Sequence, residues 1–223
     1  MGATPEEVAA GHAFYTRRSL AVYDLAILGW FSQMAWRCPK SRILRHYDAQ
    51  VSRNHLDVGV GVGVGSGFFL DRCRFPAAAP RVALLDVSEA CLHKAGERIE
   101  RYCPEVYRAD VLQPIRLHTA RFDSVSLNYV LHCLPGTMAA KAQAFVHLKA
   151  LTNPGARVFG ATLLHDGVHR TWFARRVMER NNRHGVFSNE GDSLEALQRV
   201  LSEHLEEPEL EVVGCVGIFS GRV

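Results

Sequence analysis

Glycine occupies every second position from 59 to 67, and this run limits the possible folds more than any other feature of the chain. Leu56 and Val58 before it predict a short buried strand, and the apolar residues 68–70 after it predict the start of a helix. Because glycine has no Cβ, such a loop can bring its backbone N–H groups close to a ligand. A strand, a glycine loop and a helix in this order predict a nucleotide or cofactor site in an α/β protein.

Apolar stretches and helical stretches alternate after this loop. The stretches suited to buried parallel strands are residues 56–58, 81–85, 106–109, 122–130 and 156–164, and the helical ones between them are residues 68–73, 88–102 and 137–151. The alternation predicts an α/β fold with a Rossmann-like, mostly parallel sheet of about seven strands, helices on both faces and right-handed crossovers.

The C-terminal part of the chain predicts two further helices and a strand-like tail. The helices are expected over residues 170–183 and from Asp192 or Ser193 to about residue 204. The tail predicts either one bent strand or a hairpin turned at Gly214. Several arginines fall in the first of these helices, and we interpret them as a solvated face because basic patches are weak indicators of a partner.

Helical spacing of apolar residues also begins the chain. We expect one domain over residues 1–223, with a helical cap at 1–51 and a cofactor-binding α/β core at 54–223. The aromatic surface of the cap needs a partner. Two interpretations stay open: the cap packs on the main core, or it forms a lid over a ligand pocket.

Composition excludes several classes of protein. A net charge of +3, from 26 basic and 23 acidic residues, does not predict nucleic-acid binding. The six cysteines include no Cys-x-x-Cys pair, which argues against a zinc site and against a secreted disulfide framework. The most apolar stretch, residues 20–36, carries Asp24 and Gln33 and is a poor membrane span, and the start of the chain lacks a signal-peptide pattern. We therefore expect a cytoplasmic protein without a bound metal, and the oligomeric state stays open.

Polar residues follow the predicted strands. Ligands of parallel sheets bind at the carboxyl ends of the strands, so these residues are candidates for a site. In chain order they are Asp57, Asp86, Asp110, Asn128, Tyr129, His132, His165 and Asp166. Simpler structural roles are open for two of the acids, since Asp86 could cap the helix that begins near Ser88 and Asp110 could form a turn before Pro114.

The glycine loop decides between cofactors. The dinucleotide fingerprint Gly-x-Gly-x-x-Gly fails in every register, and the loop lacks the lysine of a phosphate-binding loop. The segment Asp57-Val-Gly-Val-Gly-Val-Gly63 instead matches acid-x-Gly-x-Gly-x-Gly, and it resembles motif I of the class I S-adenosylmethionine-dependent methyltransferases. The resemblance continues to about residue 164, through residues 81–86, 108–110, 122–128 and 151–156.

This resemblance implies a role for each strand-end residue. Gly59, Gly61 and Gly63 would lie along the methionine part of S-adenosylmethionine, with Asp57 near its ammonium group. Asp86, followed by Val87, would accept hydrogen bonds from the ribose hydroxyls. Asp110 and the backbone of Val111 would face the adenine amino group. Asn128 would lie under the sulfonium end through its backbone.

The loop departs from the family pattern by four surplus residues. If Asp57 keeps its place, the loop is longer and Gly65-Ser66-Gly67 form the turn into the helix. If the strand slips by four residues, Gly63, Gly65 and Gly67 become the working glycines and Gly61 takes the position of Asp57. A shift by an even number keeps every side chain on its face, so the alternation of residues cannot choose between the two.

Methyl transfer from a sulfonium is a direct displacement, to which positioning and desolvation contribute much of the rate. A base is needed only if the acceptor must lose a proton, and His132 is the candidate because the ordinary pKa of histidine lies near neutrality. The alternative is that His132 packs without a chemical role. Weaker candidates, for lining the acceptor pocket, are Tyr15, Tyr23, His165 and His169.

The acceptor is expected to be a small, partly hydrophobic molecule, such as a secondary metabolite, bound under the apolar N-terminal helices. The fourth strand lacks the Asn/Asp-Pro-Pro-Tyr/Phe signature of enzymes that methylate amino groups of bases and glutamines, which disfavours those acceptors. Two alternatives belong to other classes: a methyltransferase-like protein that binds ligand without methylating it, and a nicotinamide-dependent oxidoreductase.

The N-terminal helices provide a test of the predicted acceptor site. Deleting residues 1–50 is expected to weaken binding of the acceptor, because the deletion removes the apolar surface over the pocket. Acceptor affinity is measured alongside the thermal midpoint, so that loss of a pocket can be separated from unfolding. Unchanged acceptor affinity in a folded deletion variant would contradict the hypothesis.

Overall fold

The structure, a computed structural model, describes residues 34–61 and 66–223. A single sheet has seven strands in the order β3-β2-β1-β4-β5-β7-β6. The strands are β1 (Asn54–Val58), β2 (Arg81–Asp86), β3 (Glu105–Arg108), β4 (Phe122–Asn128), β5 (Thr152–Leu163), β6 (Glu206–Val213) and β7 (Val216–Arg222). The first five pair in parallel, and β7 runs antiparallel to both of its neighbours. The predicted mostly parallel α/β sheet is confirmed.

The described helices connect the strands. They are α1 (Lys40–Gln50), α2 (Ser66–Arg72), α3 (Glu89–Arg98), α4 (Met138–Lys141), α5 (Gln143–Lys149), α6 (Trp172–Arg183) and α7 (Leu194–His204). Ser88 caps α3 as expected, accepting a hydrogen bond from the Cys91 N–H at 3.4 Å. Ser193 rather than Asp192 caps α7. In the part of the chain that the structure describes, no helix is long and apolar enough to cross a membrane.

Helices cover both faces of the sheet, and the alternation of residues in each strand decides which face a side chain joins. Tyr47 of α1 and Phe69 of α2 are fully buried on one face, where the Tyr47 ring contacts both Phe69 and Phe159 of β5. On the other face, Leu56 of β1 is buried in one cluster with Leu148 of α5. The core therefore has two layers of side chains separated by the sheet.

Of the predicted N-terminal cap, only the last helix, α1, can be assigned to the core. Ile43 and Tyr47 of α1 have no solvent exposure, so this helix is part of the core. The earlier predicted helices, together with Tyr15 and Tyr23, lie outside the described residues. A deletion through residue 50 thus removes core side chains, which makes the thermal control essential.

The C-terminal tail is a hairpin rather than one bent strand. Its turn contains Gly214, whose φ of +62° lies in the left-handed region that glycine adopts readily. A Cβ at this position would lie 2.0 Å from the Trp36 carbonyl oxygen, so glycine also permits close contact with the chain before α1. The Cys215 N–H donates to the same carbonyl at 3.1 Å.

A buried ion pair fastens the segment before α7 to the core. Lys141 Nζ lies 2.7 Å from both carboxylate oxygens of Asp192 and 2.6 Å from the Ser188 carbonyl, and both charged side chains are fully buried. Burial lowers the pKa of Lys141 and raises that of Asp192, while the attraction between the two charges opposes both shifts. Ser188 N–H also donates to the His132 carbonyl at 2.8 Å, so this segment is held over the ends of β4 and β5.

Breaking this pair should destabilise the fold strongly. Lys141→Met leaves the Asp192 carboxylate buried without its counter-ion, and we expect a loss of about 3–5 kcal/mol in the free energy of unfolding. The double variant Lys141→Met/Asp192→Leu should recover most of this loss, because it removes both charges. Urea unfolding measures the change.

The matched control is Arg199→Met, which breaks the exposed pair between Arg199 and Glu195. It should cost less than about 1 kcal/mol, because solvent screens such pairs. An equal loss for Lys141→Met and Arg199→Met would show that the buried pair does not hold the segment.

Candidate active site

Parallel pairing brings the ends of four neighbouring strands together. Asp86 and Asn128 are the last residues of β2 and β4, Asp57 is the next-to-last residue of β1, and Asp110 lies two residues beyond β3. The strand order therefore places these side chains along one edge of the sheet in the sequence Asp110, Asp86, Asp57, Asn128. This is the edge at which parallel sheets bind ligands.

The Asp86 carboxylate links the glycine loop to α3. One oxygen accepts from the Ser88 N–H at 2.8 Å, as in the turn that precedes many helices, and the other accepts from the Gly61 N–H at 3.3 Å. Asp86 is therefore not the cap of α3, which is Ser88, although its carboxylate holds the Ser88 N–H just before the helix. Its other oxygen contacts the loop predicted to carry the cofactor.

Asp57 lies at the end of a buried polar network. Its side chain has no solvent exposure, and the Ser126 hydroxyl on β4 donates to Oδ1. Ser126 Oγ lies 3.2 Å from His55 Nε2, which lies 2.7 Å from the Tyr47 hydroxyl on α1. Burial lowers the pKa of His55 to about 3 and raises the pKa of Tyr47 well above its ordinary value, so both groups are neutral at physiological pH. The network therefore connects Asp57 to α1 without adding a second charge.

Two glycines of the loop have backbones that favour glycine. Gly59 has a φ of +67°, and a Cβ there would lie 2.4 Å from Val130 Cγ2. Gly61 has a φ of +49°. The Gly59 N–H donates to the Leu85 carbonyl at 2.8 Å, directly after the strand register that pairs Asp57 with Leu84. This is the arrangement in which Asp57 keeps its place, and Gly63 lies outside the described residues.

Asp110 forms a turn in this structure. Its Oδ1 accepts from the Leu112 N–H at 2.9 Å, and its carbonyl accepts from the Gln113 N–H at 3.0 Å. The next residue, Val111, is buried, and its carbonyl lies 3.0 Å from His147 Nδ1. Val87 lies between Asp86 and the cap of α3, with its carbonyl accepting from Arg108 Nε at 3.2 Å. Contacts of these residues with adenine and ribose stay predictions.

Asn128 is buried with its amide unused. The residue is 1% exposed, and its backbone lies in the parallel ladder beside Ala161. Among residues 34–61 and 66–223, neither the Oδ1 nor the Nδ2 atom of Asn128 has a hydrogen-bond partner. The chain turns sharply just after it, since Tyr129 has a φ of 58°.

His132 differs from the expectation that its pKa lies near neutrality. The residue is 3% exposed in a short 3₁₀ helix, Leu131–Cys133, and burial, with help from the Lys141 charge, lowers its pKa to about 3. Its ring meets the Phe187 ring edge-on at a centroid distance of 4.7 Å. These contacts favour the packing role, and catalysis by His132 stays a prediction. His165, by contrast, is partly exposed, with Nδ1 3.2 Å from Asp166 Oδ1.

Sequence reasoning missed the groups that surround this edge. Phe187 lies between His132 and Trp36, whose ring centroid is 6.2 Å away. Lys141 and Asp192 are 51 positions apart, and nothing in their spacing predicts that they pair. A lysine among the apolar residues of the predicted helix 137–151 is the one signal that could have indicated a buried partner.

Comparison with known proteins identifies the family. A family of methyltransferase domains matches residues 56–158. Demethylluteothin O-methyltransferase of Streptomyces thioluteus is 36% identical over 214 residues, covering 96% of this chain and 91% of that protein. The chain belongs to the class I S-adenosylmethionine-dependent methyltransferases. The resemblance predicted from its glycine loop and strand-end acids is confirmed.

Two further comparisons place this methyltransferase among its relatives. It is 34% identical over 218 residues to the physcion biosynthesis cluster O-methyltransferase of Aspergillus chevalieri, covering 97% of this chain and 95% of that protein. Its fold resembles that of the N-methyltransferase NodS from Bradyrhizobium japonicum WM9 in complex with S-adenosyl-L-homocysteine, with a TM-score of 0.59 and 17% identity, covering 92% of this chain and 96% of that one. At this identity, the second likeness concerns the fold alone.

The residues at the strand ends of this methyltransferase fit its cofactor. S-adenosylmethionine carries an ammonium group, a sulfonium and a ribose diol but no phosphate, so acidic and neutral polar partners suit it. Asp57 and Asp86 supply carboxylates, and Asn128 supplies a buried amide whose donor and acceptor are both unused. Gly59 and Gly61 both have positive φ angles, which let the backbone turn at the start of the loop.

The low pKa of His132 predicts how stability depends on pH. A histidine that is neutral when folded contributes stability above its unfolded pKa of about 6.5, and this contribution falls as pH decreases towards the folded pKa. Replacing it by His132→Phe should therefore reduce the stability lost between about pH 7 and pH 5 by about 2 kcal/mol. Urea unfolding across this range provides the measurement.

The control is Leu148→Val, which changes a buried apolar residue on the other face of the sheet and no titratable group. It should leave the pH dependence as in the unsubstituted protein. If His132→Phe also leaves the pH dependence of stability unchanged, burial does not hold His132 neutral. The interpretation of His132 as a general base would then be favoured again.

Proposed function

We propose that this methyltransferase transfers a methyl group to a hydroxyl oxygen of a small, partly hydrophobic acceptor in secondary metabolism. The observation that carries the proposal is the match along nearly the whole chain to two proteins named as O-methyltransferases, at 36% and 34% identity. The segment Asn128-Tyr129-Val130-Leu131, which lacks the Pro-Pro step of amino-group methyltransferases, is consistent with this choice. The fold alone does not select oxygen, because NodS has a similar fold and is named an N-methyltransferase.

The strand-end residues have distinct roles in this proposal. Asp57 and the glycines Gly59, Gly61 and Gly63 hold the methionine part of the cofactor. Asp86, with Val87 beside it, binds the ribose diol through its carboxylate. Asp110 and Val111 hold the adenine. The order of these residues along the edge of the sheet supports the assignment, because the three parts of the cofactor follow one another in the same order.

When bound, S-adenosylmethionine supplies a methyl group that is already activated for direct displacement. What the chain contributes is position and exclusion of water. The aromatic side chains of Trp36 and Phe187 and the neutral ring of His132 form an apolar group beyond β4, where such exclusion is useful. A His132 ring with a pKa of about 3 accepts a proton poorly at neutral pH, so we assign it to packing in preference to general-base catalysis.

The acceptor belongs, in this proposal, between the strand ends and the cap over residues 1–51 of a single domain spanning 1–223. Tyr15 and Tyr23 would contribute from the cap, and His165 from the end of β5. His165 is suited to this place because it is partly exposed and its backbone N–H is held by the Asp192 carbonyl at 2.8 Å. We place the reaction in the cytoplasm, the compartment favoured by the spacing of the cysteines.

Titration separates this function from its alternatives. Calorimetry with S-adenosylhomocysteine should give saturable binding, and fluorescence titration with NADH should give none. Asp86→Asn keeps the side-chain shape but removes the charge. It should weaken the affinity for S-adenosylhomocysteine by about 10-fold, since a hydrogen bond to a charged group contributes about 1.5–3 kcal/mol. Asp123→Asn, at the opposite end of β4, is the matched control and should bind like the unsubstituted protein.

Product analysis completes the test. Incubation with S-adenosylmethionine and a panel of small phenolic and enolic compounds should give a product one methyl heavier, with the methyl on oxygen. A protein that binds S-adenosylhomocysteine but methylates no compound in a broad panel would favour the alternative of a non-methylating binder. Transfer to nitrogen or carbon would overturn the assignment to oxygen while leaving the family intact.

A further inference from the structure

The buried amide of Asn128 has a donor and an acceptor that nothing described in the chain uses. Its exposure is 1%, and within residues 34–61 and 66–223 no group hydrogen-bonds to Oδ1 or Nδ2. A buried polar group without a partner is destabilising, and native structures contain few of them. An unsatisfied amide at the ligand-binding edge of the sheet therefore indicates a partner that arrives with a ligand.

The neighbours of Asn128 on β4 make this observation specific. Ser124, Ser126 and Asn128 alternate along the strand, so they share one face of the sheet. Ser124 Oγ accepts from the Ser52 N–H at 2.9 Å and lies 2.8 Å from His55 Nδ1, and Ser126 donates to Asp57. Of these three polar side chains, the two inside the sheet are satisfied by the protein and the one at the strand end is not.

The strand register places the amide beside the start of the glycine loop. β1 and β4 are parallel neighbours with Asp57 opposite Ser126. Because the two strands run in the same direction, Asn128, two residues after Ser126, lies beside Gly59, two residues after Asp57. Asn128 lies across β1 from Asp86 and β2, which is the side away from the proposed ribose and adenine contacts.

We propose that the Asn128 side chain binds the amino-acid end of S-adenosylmethionine, with Oδ1 accepting from the ammonium group and Nδ2 donating to the carboxylate. The inference rests on the proposed function and goes beyond the backbone role that the family resemblance implies for this residue. An amide suits this end of the ligand because the ligand presents both a donor and an acceptor.

Charge explains why an amide is better than an acid here. The Asp57 carboxylate on the neighbouring strand already attracts an ammonium group, but it repels the carboxylate of the same ligand. A second acid at position 128 would repel both Asp57 and that carboxylate. The neutral amide of Asn128 accepts from the ammonium without adding charge, and its N–H groups are donors that offset the repulsion.

Two ligands that differ only at the amino-acid end test the inference. S-adenosylhomocysteine has the complete chain, whereas 5′-methylthioadenosine keeps the adenine, ribose and sulfur but lacks the amino and carboxyl groups. Asn128→Leu keeps nearly the same volume and removes both polar atoms. By calorimetry, Asn128→Leu should weaken the affinity for S-adenosylhomocysteine about 10- to 100-fold and change the affinity for 5′-methylthioadenosine by less than about 2-fold.

The thermal midpoint of the ligand-free protein is an independent readout. Because the amide is unsatisfied before binding, Asn128→Leu should leave the midpoint unchanged or raise it. Ser124→Ala is the control on the same strand face: it should lower the midpoint, since it breaks bonds present in the free protein, and leave the ratio of the two affinities unchanged. Asn128→Ala replaces Asn128→Leu if the larger side chain does not fold.

Three results would overturn the inference: equal weakening of both ligands, unchanged affinity for S-adenosylhomocysteine, or a lowered midpoint of ligand-free Asn128→Leu. The first would place Asn128 near the nucleoside, the second away from the cofactor, and the third would mean that the amide is paired within the free protein. If the unsubstituted protein itself fails to bind S-adenosylhomocysteine, the proposed function fails, and that outcome is distinct from a variant that binds as well as its parent.

Discussion

The pairing of β1 between β2 and β4 is the constraint on which the site depends. Because these strands are parallel, their carboxyl ends meet at one edge, and residues distant in the chain become neighbours there. The register also decides which side chains face each other, since Asp57 must lie opposite Ser126 for its buried carboxylate to receive a hydrogen bond. A slip of either strand by one residue would place Asp57 and Ser126 on opposite faces of the sheet.

The sheet could be predicted from the sequence because apolar strands and helices alternate over its length. The irregular points could not. Strand β5 begins at Thr152, although the Pro154-Gly155 step that follows ordinarily marks a turn. The strand continues through this step because it lies beside the hairpin strand β7, and the Gly155 N–H donates to the Val223 carbonyl at 2.5 Å. The predicted fourth strand was two residues too long, because Tyr129 adopts a left-handed backbone directly after Asn128.

The acids of the site were predictable and their surroundings were not, for a physical reason. An acid after a strand is visible in the sequence, but its partner comes from another element and depends on register. Asp86 and Gly61 are 25 positions apart, and Ser126 and Asp57 are 69 apart. Burial is equally hidden, and it is burial that moves the pKa of His132 from the ordinary value assumed from its residue type to about 3.

Four buried polar side chains near this edge differ in whether another group of the protein satisfies them. Lys141 and Asp192 form an ion pair with each other, which suits a pair that holds a segment in place. The hydroxyl of Ser126 supports Asp57 from within the sheet. Asn128 alone of these lacks a described partner, although serine neighbours on its own strand have theirs. Since an apolar residue of the same size should cost the free protein no stability there, the amide at this position is best explained by a gain that comes only with a bound molecule.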